Sequence, residues 1–512
     1  MKGNMRILFI DQPSQSLGLH NGLASLAAML SGKPCEVSVL DLRNVNIKAD
    51  TAGFVKMPEC IDYGYLRTVI GRFAPDVIGV SVRSTFFRQS QELIAFLKTN
   101  YHQITVIAGG SHLSIDGLDF MNETMTDIGV IGEAEYTIQD LYEYFSGSRK
   151  LESINGIAYR DNGKIVMSPQ NEFVKDLDSI PFPVYDGFTS VIANNGIIPS
   201  YPIVTSRGCP YSCTFCLSPI VSGKKWRMRS PRSVLEEINY ARKKYKIKRV
   251  NFMEDNFNLD LKRAKEILKL MAEEAGDLII DFLAGVRADM IDDEFIDLIK
   301  RARVQSIAIG VESIDSDVRN ILRKGVSLEK TIESINKVRN ADINTQIFLI
   351  IGLPGSTYEK DIRSIEVARQ LGINTYWTIA NAYPKTEMYE WVKRNGRILS
   401  DYKDASMTFI DEGSLNFDTE YYPVKKRIEV FERALIATRR FDRLIYSRRG
   451  LRAHFDVTRL VFKYEKKAAI IYQIHACFVF LRSVLLKMNL YHKIVKMLTP
   501  RMRKWILFWK NM

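Results

Sequence analysis

Three cysteines lie close together near the middle of the chain, Cys209, Cys213 and Cys216. The Cys-x3-Cys-x2-Cys spacing places three thiolates on one loop, where they can converge on one metal centre, and soft sulfur ligands favour iron–sulfur clusters or zinc. A four-iron cluster held by three cysteines leaves one iron free to bind a small molecule. A closed structural zinc site requires a fourth ligand, and the next His or Cys is far away in the sequence.

An aromatic residue, Phe215, precedes the last of these cysteines. With it, the motif resembles that of the radical S-adenosylmethionine (SAM) enzymes. The resemblance implies a [4Fe-4S] cluster whose open iron chelates the amino and carboxylate groups of SAM. It also implies an external electron donor, such as flavodoxin or ferredoxin. The alternatives are a zinc knuckle or an electron-carrying cluster, in which the cysteine loop belongs to a non-enzymatic metal-binding scaffold.

The composition is that of a globular protein with room for two or three domains. Of the 512 residues, 46% are hydrophobic and 26% are charged. The other cysteines, Cys35, Cys60 and Cys477, are isolated and show no disulfide-like framework. The N-terminal segment lacks a signal-peptide cleavage pattern. We therefore expect a cytoplasmic protein in a reducing compartment, which an oxygen-sensitive cluster also requires.

The first domain, predicted over residues 1–150, alternates apolar strands with helices. The strands are expected at residues 5–10, 36–41, 76–82 and 104–110, and the helices at 19–30, 89–99 and 137–145. This rhythm predicts an α/β fold with a doubly wound, flavodoxin-like parallel sheet, which binds ligands at the carboxyl ends of its strands.

The loops at these strand ends resemble those of the cobalamin-binding domain that is fused to many radical SAM enzymes. The resemblance implies cobalamin contacts at Gln12, Ser81, Ser84, Gly109, Gly110, Ser111, Gly132 and Glu133. The Asp-x-His-x-x-Gly motif, which supplies an axial His elsewhere, is absent. His20 and His112 are candidate cobalt ligands, although a lone His near a loop is more often a polar surface residue. The alternative for the whole domain is a flavodoxin-like fold that has lost its cofactor.

A connector at residues 151–195 and a second α/β domain at 196–400 follow. Residues 154–167 predict a β-hairpin, and the two prolines within 177–186 predict an extended linker. Six strands are then expected at residues 203–206, 249–254, 279–286, 306–310, 344–351 and 376–382. Helical patterns separate them, so the resemblance implies the partial (β/α)6 barrel of the radical SAM family, with its site at the carboxyl ends of the strands.

Short segments at these strand ends resemble the SAM-binding segments of the family. A carboxylate suits the SAM ammonium group, ribose hydroxyls need an acceptor, and a glycine lets the backbone approach the adenine edge. The residues expected to contact SAM are Phe215, Asp255, Arg287, Glu312, Ser313, Gly352, Leu353 and Pro354. The segment at 383–389 departs from the family pattern, because Lys385 stands where Gly is usual and leaves the local turn in question.

The last region, residues 401–512, is predicted to be helical and basic. Residues 424–512 contain 22 Lys and Arg and 5 Asp and Glu, so their net charge is 22 − 5 = +17, which exceeds the +13 of the whole chain. Polar residues interrupt the most apolar stretch, 468–486, so a membrane span is not expected. Trp505 and Trp509 lie among basic residues, which suits either an anionic membrane surface or a helix packed on the barrel. Nucleic-acid binding ranks lower, since no nucleic-acid-binding motif accompanies the charge.

Together these features predict a cobalamin-dependent radical SAM enzyme. The expected reaction is methyl transfer to an unactivated carbon of a small hydrophobic or natural-product-like substrate. The alternative is a radical SAM cyclase, oxidase or rearrangement enzyme, with or without cobalamin. We expect a cytoplasmic protein, or one attached peripherally to the inner membrane surface by its tail.

Overall fold

The protein is described from a computed structural model that covers residues 4–13, 18–42, 48–49, 55–56, 61–405, 412–438, 461 and 464. The predicted helical segments at 468–486 and 499–512, with Trp505 and Trp509, lie outside these residues. Two α/β units follow one another along the chain, each built around its own sheet.

The first unit contains nine strands among its described residues. They are β1 Met5–Asp11, β2 Cys35–Asp41, β3 Lys48–Ala49, β4 Val55–Lys56, β5 Val77–Ser81, β6 Thr105–Gly109, β7 Ile128–Val130, β8 Ile157–Asp161 and β9 Lys164–Met167. Its helices there are α1 Asn21–Met29, α2 Tyr63–Phe73, α3 Phe87–Asn100, α4 Ser111–Glu123 and α5 Glu135–Phe145.

Within the described chain, seven of these strands form one sheet in the order β2-β1-β5-β6-β7-β8-β9. The pairs from β2 to β7 are parallel, and the predicted hairpin β8–β9 continues the sheet in antiparallel fashion. The doubly wound sheet is thus confirmed, and it includes the hairpin that follows residue 150. Strands β3, β4 and β7 and helices α2 and α4 were not predicted.

The second unit runs from β10 to the end of the described chain. Its strands are β10 Tyr201–Ile203, β11 Ser206–Arg207, β12 Arg227–Met228, β13 Arg249–Phe252, β14 Ile279–Val286, β15 Val304–Glu312, β16 Asn344–Ile351, β17 Asn374–Ile379, β18 Arg397–Ile398 and β19 Phe417–Asp418. Its helices, with a short one in the preceding connector, are α6 Thr189–Ala193, α7 Ser218–Val221, α8 Pro231–Tyr245, α9 Leu261–Glu274, α10 Asp293–Arg301, α11 Ser316–Leu322, α12 Leu328–Asn340, α13 Tyr358–Leu371, α14 Glu387–Asn395 and α15 Val424–Ala437.

Six parallel strands in the order β10-β13-β14-β15-β16-β17 build the sheet of this unit, as far as the chain is described. Their order follows the sequence, with a helix returning the chain to the same edge each time, as a partial (β/α)6 barrel requires. The predicted fold class is confirmed.

One hydrophobic core spans both units. Phe9 and Ile107 on one face of the first sheet pack in the same cluster as Tyr185 and Phe188 of the connector and Tyr201 of the barrel. The opposite face of the first sheet has its own core under α2 and α3. Because the units share buried apolar surface, the carboxyl ends of one sheet are held at a fixed position relative to those of the other.

Candidate functional site

The three cysteines of the motif lie in the cysteine loop, residues 208–226, which leaves the barrel at β11 and returns at β12. Its base is a short antiparallel pair in which Ser206 faces Met228 and Arg207 faces Arg227. Gly208 adopts a φ of +85°, and a Cβ there would collide with the carbonyl oxygen of Lys225. This glycine therefore permits the close approach of the two sides of the loop.

Each of the three thiols is partly exposed and has a defined neighbour. The side-chain amide of Asn256 donates to Cys209 Sγ at 3.0 Å, and the backbone N–H of Ser218 donates to Cys216 Sγ at 3.4 Å. Cys213 Sγ lies 3.9 Å from the carbonyl oxygen of Arg323. Burial raises the pKa of the Cys213 and Cys216 thiols, so a metal must displace their protons.

The donor set fits a cluster with an open iron. Three soft sulfurs on one loop are present, and two of them already receive N–H donors of the kind that stabilise bound thiolates. Within the described residues, no three His, Cys, Asp or Glu side chains converge closely enough for a single metal ion. A cluster requires less convergence, because each thiolate binds a different iron.

Two adjacent carboxylates at the end of β13 have different surroundings. Glu254 is buried and accepts from the backbone N–H and the hydroxyl of Thr205, so it ties the end of β10 to β13. Burial raises its pKa to about 7. Asp255 lies beside the Ser218 hydroxyl at the edge of a large cleft, and burial raises its pKa. Asp255 is thus placed to meet a cation, whereas Glu254 holds the backbone.

Arg287 packs directly on the cysteine loop. Its guanidinium lies 3.7 Å from the ring centroid of Tyr211 and donates to both carboxylate oxygens of Asp289, at 2.9 and 2.7 Å. The structure therefore places this predicted SAM residue next to the cysteines.

Glu312 ends β15 in the left-handed region, with a φ of +65°, which is strained for a residue other than glycine. Its carboxylate pairs with Lys324 Nζ at 2.8 Å. Ser313 beside it is buried, and its hydroxyl accepts from the backbone N–H of Asp315. Lys324 was not among the predicted residues; its proximity to Glu312 arises from the fold of α11 and has no local sequence signal.

The Gly352-Leu353-Pro354 segment is buried directly after β16. Gly352 has a φ of +78°, and its N–H donates to Asp361 Oδ2 at 2.8 Å; a Cβ there would meet the side chain of Arg427. Leu353 belongs to an apolar cluster that Phe215 joins from the cysteine loop. The predicted adenine segment and the cysteine loop are thus in one packed unit.

The turn at Lys385 keeps the glycine-like conformation that the family pattern implies. Lys385 has a φ of +65°, which L residues rarely adopt and glycine adopts freely. Thr386 then caps α14, and the N–H of Met388 donates to the carbonyl of Thr214 in the cysteine loop at 2.9 Å. Lys385 thus occupies a backbone conformation that glycine would adopt without strain.

An interdomain cleft lies between the carboxyl ends of the two sheets. Its cavity volume is about 390 Å³, and the cleft opens to solvent. From the first unit, six of the eight predicted cobalamin residues line it: Ser81, Gly109, Gly110, Ser111, Gly132 and Glu133. From the barrel, Ser206, Arg207, Met253 and Asp255 face it. A cleft at the carboxyl ends of both sheets is where such folds bind ligands.

The other two predicted cobalamin residues are engaged beneath this surface. Gln12 is buried and donates to the Ser81 carbonyl at 3.3 Å and to Ser90 Oγ at 2.7 Å. Ser84 is buried with its hydroxyl 3.1 Å from His112 Nδ1. Neither residue lines the cleft, so their contact with cobalamin stays a prediction that the placement does not favour.

The two histidines considered as cobalt ligands are both held by protein groups. His20 lines the cleft, but its Nδ1 accepts from the N–H of Leu23 at 3.2 Å and its Nε2 lies 2.9 Å from Ser81 Oγ. His112 is fully buried among Phe87, Phe120 and Tyr402. A ligand role for either would require these contacts to break.

Sequence comparison assigns both units. Residues 203–379 match the model of the radical SAM superfamily, and residues 14–142 match the model of the B12 binding domain. The chain is a radical SAM protein with a B12-binding domain. Membership in these families implies a [4Fe-4S] cluster and SAM in the barrel and cobalamin in the first unit, as the sequence analysis predicts.

Relatives of this radical SAM protein extend over both units. It is 27% identical over 406 residues to an uncharacterized methyltransferase of Pyrococcus horikoshii, covering 77% of this chain and 85% of the relative. The structure of the radical SAM methyltransferase TsrM from Kitasatospora setae, with cobalamin and a [4Fe-4S] cluster bound, superposes with a TM-score of 0.66 at 17% identity, covering 86% of this chain and 89% of TsrM.

The cobalamin-dependent SAM radical enzyme OxsB, with aqua-cobalamin and SAM bound, gives a TM-score of 0.66 at 16% identity, covering 96% of this chain and 76% of OxsB. At these identities the likeness of the two solved structures shows the fold. The described residues of the present chain contain no helix long and apolar enough to cross a membrane.

Proposed function

We propose that the protein is a cobalamin-dependent radical SAM methyltransferase that acts on an unactivated carbon of a small molecule. The observation that carries the proposal is the interdomain cleft. Two predicted cobalamin residues, Gly110 and Gly132, line it together with Arg207 and Asp255 of the barrel. When bound, the cluster with SAM supplies a radical that removes a hydrogen atom, and cobalamin supplies a methyl group. The radical and the methyl donor must both reach the same substrate carbon.

In this proposal Cys209, Cys213 and Cys216 hold three irons of the cluster. Asp255 receives the SAM ammonium group, and Glu312, held by Lys324, accepts from the ribose hydroxyls. The other proposed SAM contacts are Phe215, Arg287, Ser313, Gly352, Leu353 and Pro354. These side chains bind and orient the cofactor and exclude water, because the cofactors carry the reactive chemistry.

The substrate class, the reductant and the location belong to the same proposal. Apolar side chains such as Leu26, Val80 and Val204 line much of the cleft, which supports a hydrophobic or natural-product-like substrate. We propose flavodoxin or ferredoxin as the reductant and a cytoplasmic location. Attachment of the basic tail to the inner membrane surface is an extension of the proposal.

The test is anaerobic purification with added cobalamin, followed by assay of iron, sulfide and corrinoid per chain. We expect about four irons and one corrinoid. With dithionite and SAM carrying a trideuterated methyl group, we expect 5′-deoxyadenosine and transfer of label to the corrinoid. Cys213→Ala should lose iron. Cys35→Ala, which removes a half-buried cysteine far from the loop, should keep it.

Other outcomes separate the alternatives. Four irons without corrinoid contradict the methyltransferase proposal and favour a radical SAM enzyme that forms rings, oxidises or rearranges its substrate. Bound zinc without iron, after reconstitution, contradicts the radical proposal altogether.

A further inference from the structure

Two arginines face each other at the base of the cysteine loop. Arg207, at the end of β11, and Arg227, at the start of β12, are register partners in the antiparallel pair. Like charges directly opposite each other on paired strands repel. The base of the loop that carries the cysteines therefore needs negative charge from elsewhere in the molecule.

That charge comes from the first unit, just after β7. Glu133 accepts hydrogen bonds from both Nη atoms of Arg227, at 2.8 and 2.9 Å, and Arg207 Nη1 lies 3.3 Å away from it. Arg207 Nη2 donates to Glu135 Oε1 at 2.6 Å. We call Glu133, Glu135, Arg207 and Arg227 the arginine–glutamate clamp.

The clamp is buried where the two units meet. The exposed fractions are 5% for the Arg227 side chain, 6% for Glu135, 10% for Glu133 and 21% for Arg207. Burial opposes the charge on Glu135, but Arg207 outweighs burial and holds the pKa of that carboxyl below its usual value. Because the arginines and glutamates pair with one another in this buried position, removal of one side chain leaves a buried partner without its counterpart.

Further contacts fix the clamp in place. Arg227 also donates to the carbonyl oxygens of Val174 and Ser222, at 2.6 and 2.8 Å, and the N–H of Val174 donates to Glu133 at 2.6 Å. The Ser25 hydroxyl of α1 lies 3.3 Å from Glu135. The connector, the cysteine loop and the first unit therefore meet at four side chains.

The position of the clamp relates the two sites at which cofactors are expected. Arg207 precedes Cys209 by two residues, and Glu133 directly follows Gly132 in the corrin-side loop, residues 131–134. Arg207, Glu133 and Glu135 all line the interdomain cleft. A movement of either loop must therefore be transmitted to the other through bidentate, buried contacts.

We infer that the arginine–glutamate clamp is a positioning device that fixes the separation and orientation of the cysteine loop relative to the corrin-side loop. The inference rests on the proposed function, because it concerns the distance between a cluster and a corrinoid. The four side chains perform no chemical step; they act through the loops that they hold.

The experiment measures the distance between the two centres in the cofactor-loaded protein, by pulsed EPR on the reduced cluster and cob(II)alamin. The wild-type protein should give one narrow distribution. Glu133→Gln, which removes the charge but keeps the shape of the side chain, should broaden or shift the distribution measured on molecules that hold both centres. Arg227→Lys keeps the charge but cannot span both carboxylate oxygens, so it should have a similar, smaller effect.

The matched control is Glu236→Gln on α8, where the partner Arg232 is 3.4 Å away and both side chains are more than half exposed; it should leave the distribution unchanged. Narrow, unshifted distributions in both Glu133→Gln and Arg227→Lys, even with lower thermal stability, overturn the inference and leave a purely stabilising role. If Glu133→Gln does not fold, Arg227→Lys decides alone.

Failure of the proposed function gives a different result. If the wild-type protein binds iron but no corrinoid, the proposed function fails, and hydrogen exchange of the iron-loaded protein then tests the clamp. Faster exchange in residues 206–209 and in 131–135 of Glu133→Gln supports the clamp, and unchanged exchange in both segments overturns it.

Discussion

At the scale of single residues, the sulfur atoms of the cysteine loop have unequal surroundings. Cys209 receives a side-chain N–H from Asn256, and Cys216 receives a backbone N–H from Ser218. Cys213 instead lies near the ammonium group of Lys324, which favours its thiolate. Hydrogen bonds to ligand sulfurs stabilise the more negative state of an iron–sulfur cluster.

Replacement of Asn256 by Leu should therefore make the midpoint potential of the cluster more negative, because Cys209 loses its N–H donor. Potentiometric titration followed by EPR measures this change. Asn239→Leu on α8, where the Asn239 side chain accepts from Arg242 of its own helix, provides the control and should leave the potential unchanged. An unchanged potential in Asn256→Leu would contradict this role.

His112 should make stability depend on pH. Burial lowers its pKa to about 4, with a further contribution from Lys403 against an opposing one from Asp401. In the unfolded chain its pKa is ordinary, about 6.5, so the unfolded state binds the extra proton between these values. The contribution of His112 to the free energy of unfolding is fully present above about pH 6.5. It decreases as the pH falls towards 4, by about 3 kcal/mol at most.

The measurement is denaturant unfolding at several pH values between 7 and 5. His112→Gln lowers the free energy of unfolding at every pH, but it should also flatten the pH dependence over this range. If the free energy of unfolding changes with pH by the same amount in the wild-type protein and in His112→Gln, groups other than His112 cause the pH dependence.

The residues of the site differ in how far the sequence could predict them. The cysteines were predictable because their ligand geometry is set by spacing along one loop. Six predicted cobalamin residues lie at the cleft because they follow strand ends, which a parallel sheet brings to one edge. Asn256 and Glu135 form their contacts across loops, and no local pattern encodes those partners.

At the scale of elements, the start of α4 depends on one glycine. Gly110 has a φ of +118°, and a Cβ on it would lie 2.6 Å from the carbonyl oxygen of Val82. The two corrin-side strand ends, after β5 and after β6, are therefore in backbone contact there. Any side chain would have to separate them.

Gly110→Ala should accordingly lower the free energy of unfolding by roughly 1–3 kcal/mol and weaken cobalamin binding. Gly147→Ala, at a φ of +81° with open space around its Cβ, is the control for a side chain at a positive φ without a close neighbour. The readouts are denaturant unfolding and the absorbance of retained corrinoid. Equal losses in the two variants would mean that contact with Val82 is unimportant.

Two of the unpredicted elements, helix α4 and strand β7, each have a local physical cause. Helix α4 begins at Ser111, directly after two glycines, and has non-helical backbone at Asp116, so its pattern resembles a loop. Strand β7 has three residues, too few to show a period. The six barrel strands were predictable because apolar residues recur in each of them between helical patterns, although in β13, β16 and β17 only alternate residues are buried.

At the scale of the whole molecule, the segment that follows the barrel returns to the first unit. Asp404 accepts from Arg88 at 2.6 and 3.1 Å, and Lys403 pairs with Glu123. Tyr402 stacks on His112 with ring centroids 5.9 Å apart. Residues 402–404 therefore join α3 and α4 to the barrel at a point remote in sequence from the connector.

Tyr402→Ala should destabilise the protein by about 3 kcal/mol, as expected for loss of a buried aromatic ring. Hydrogen exchange should increase in α4 but not in α12. Tyr421→Ala, at a side chain that is 50% exposed, should change stability by less than about 1 kcal/mol. Equal effects of the two substitutions would contradict a docking role for residue 402.

The arginine–glutamate clamp also imposes an order on biosynthesis. The ribosome makes the chain from its N-terminus, so Glu133 and Glu135, and every strand of the first sheet, emerge before Arg207 and Arg227. The negative charges are thus in place when the two arginines appear, and the cysteines follow on a loop whose base can close at once. A barrel produced without the first unit would carry two facing arginines without the carboxylates of Glu133 and Glu135. We therefore expect a cluster to be inserted less completely into a barrel that is produced without the first unit, although the three cysteines all belong to the barrel.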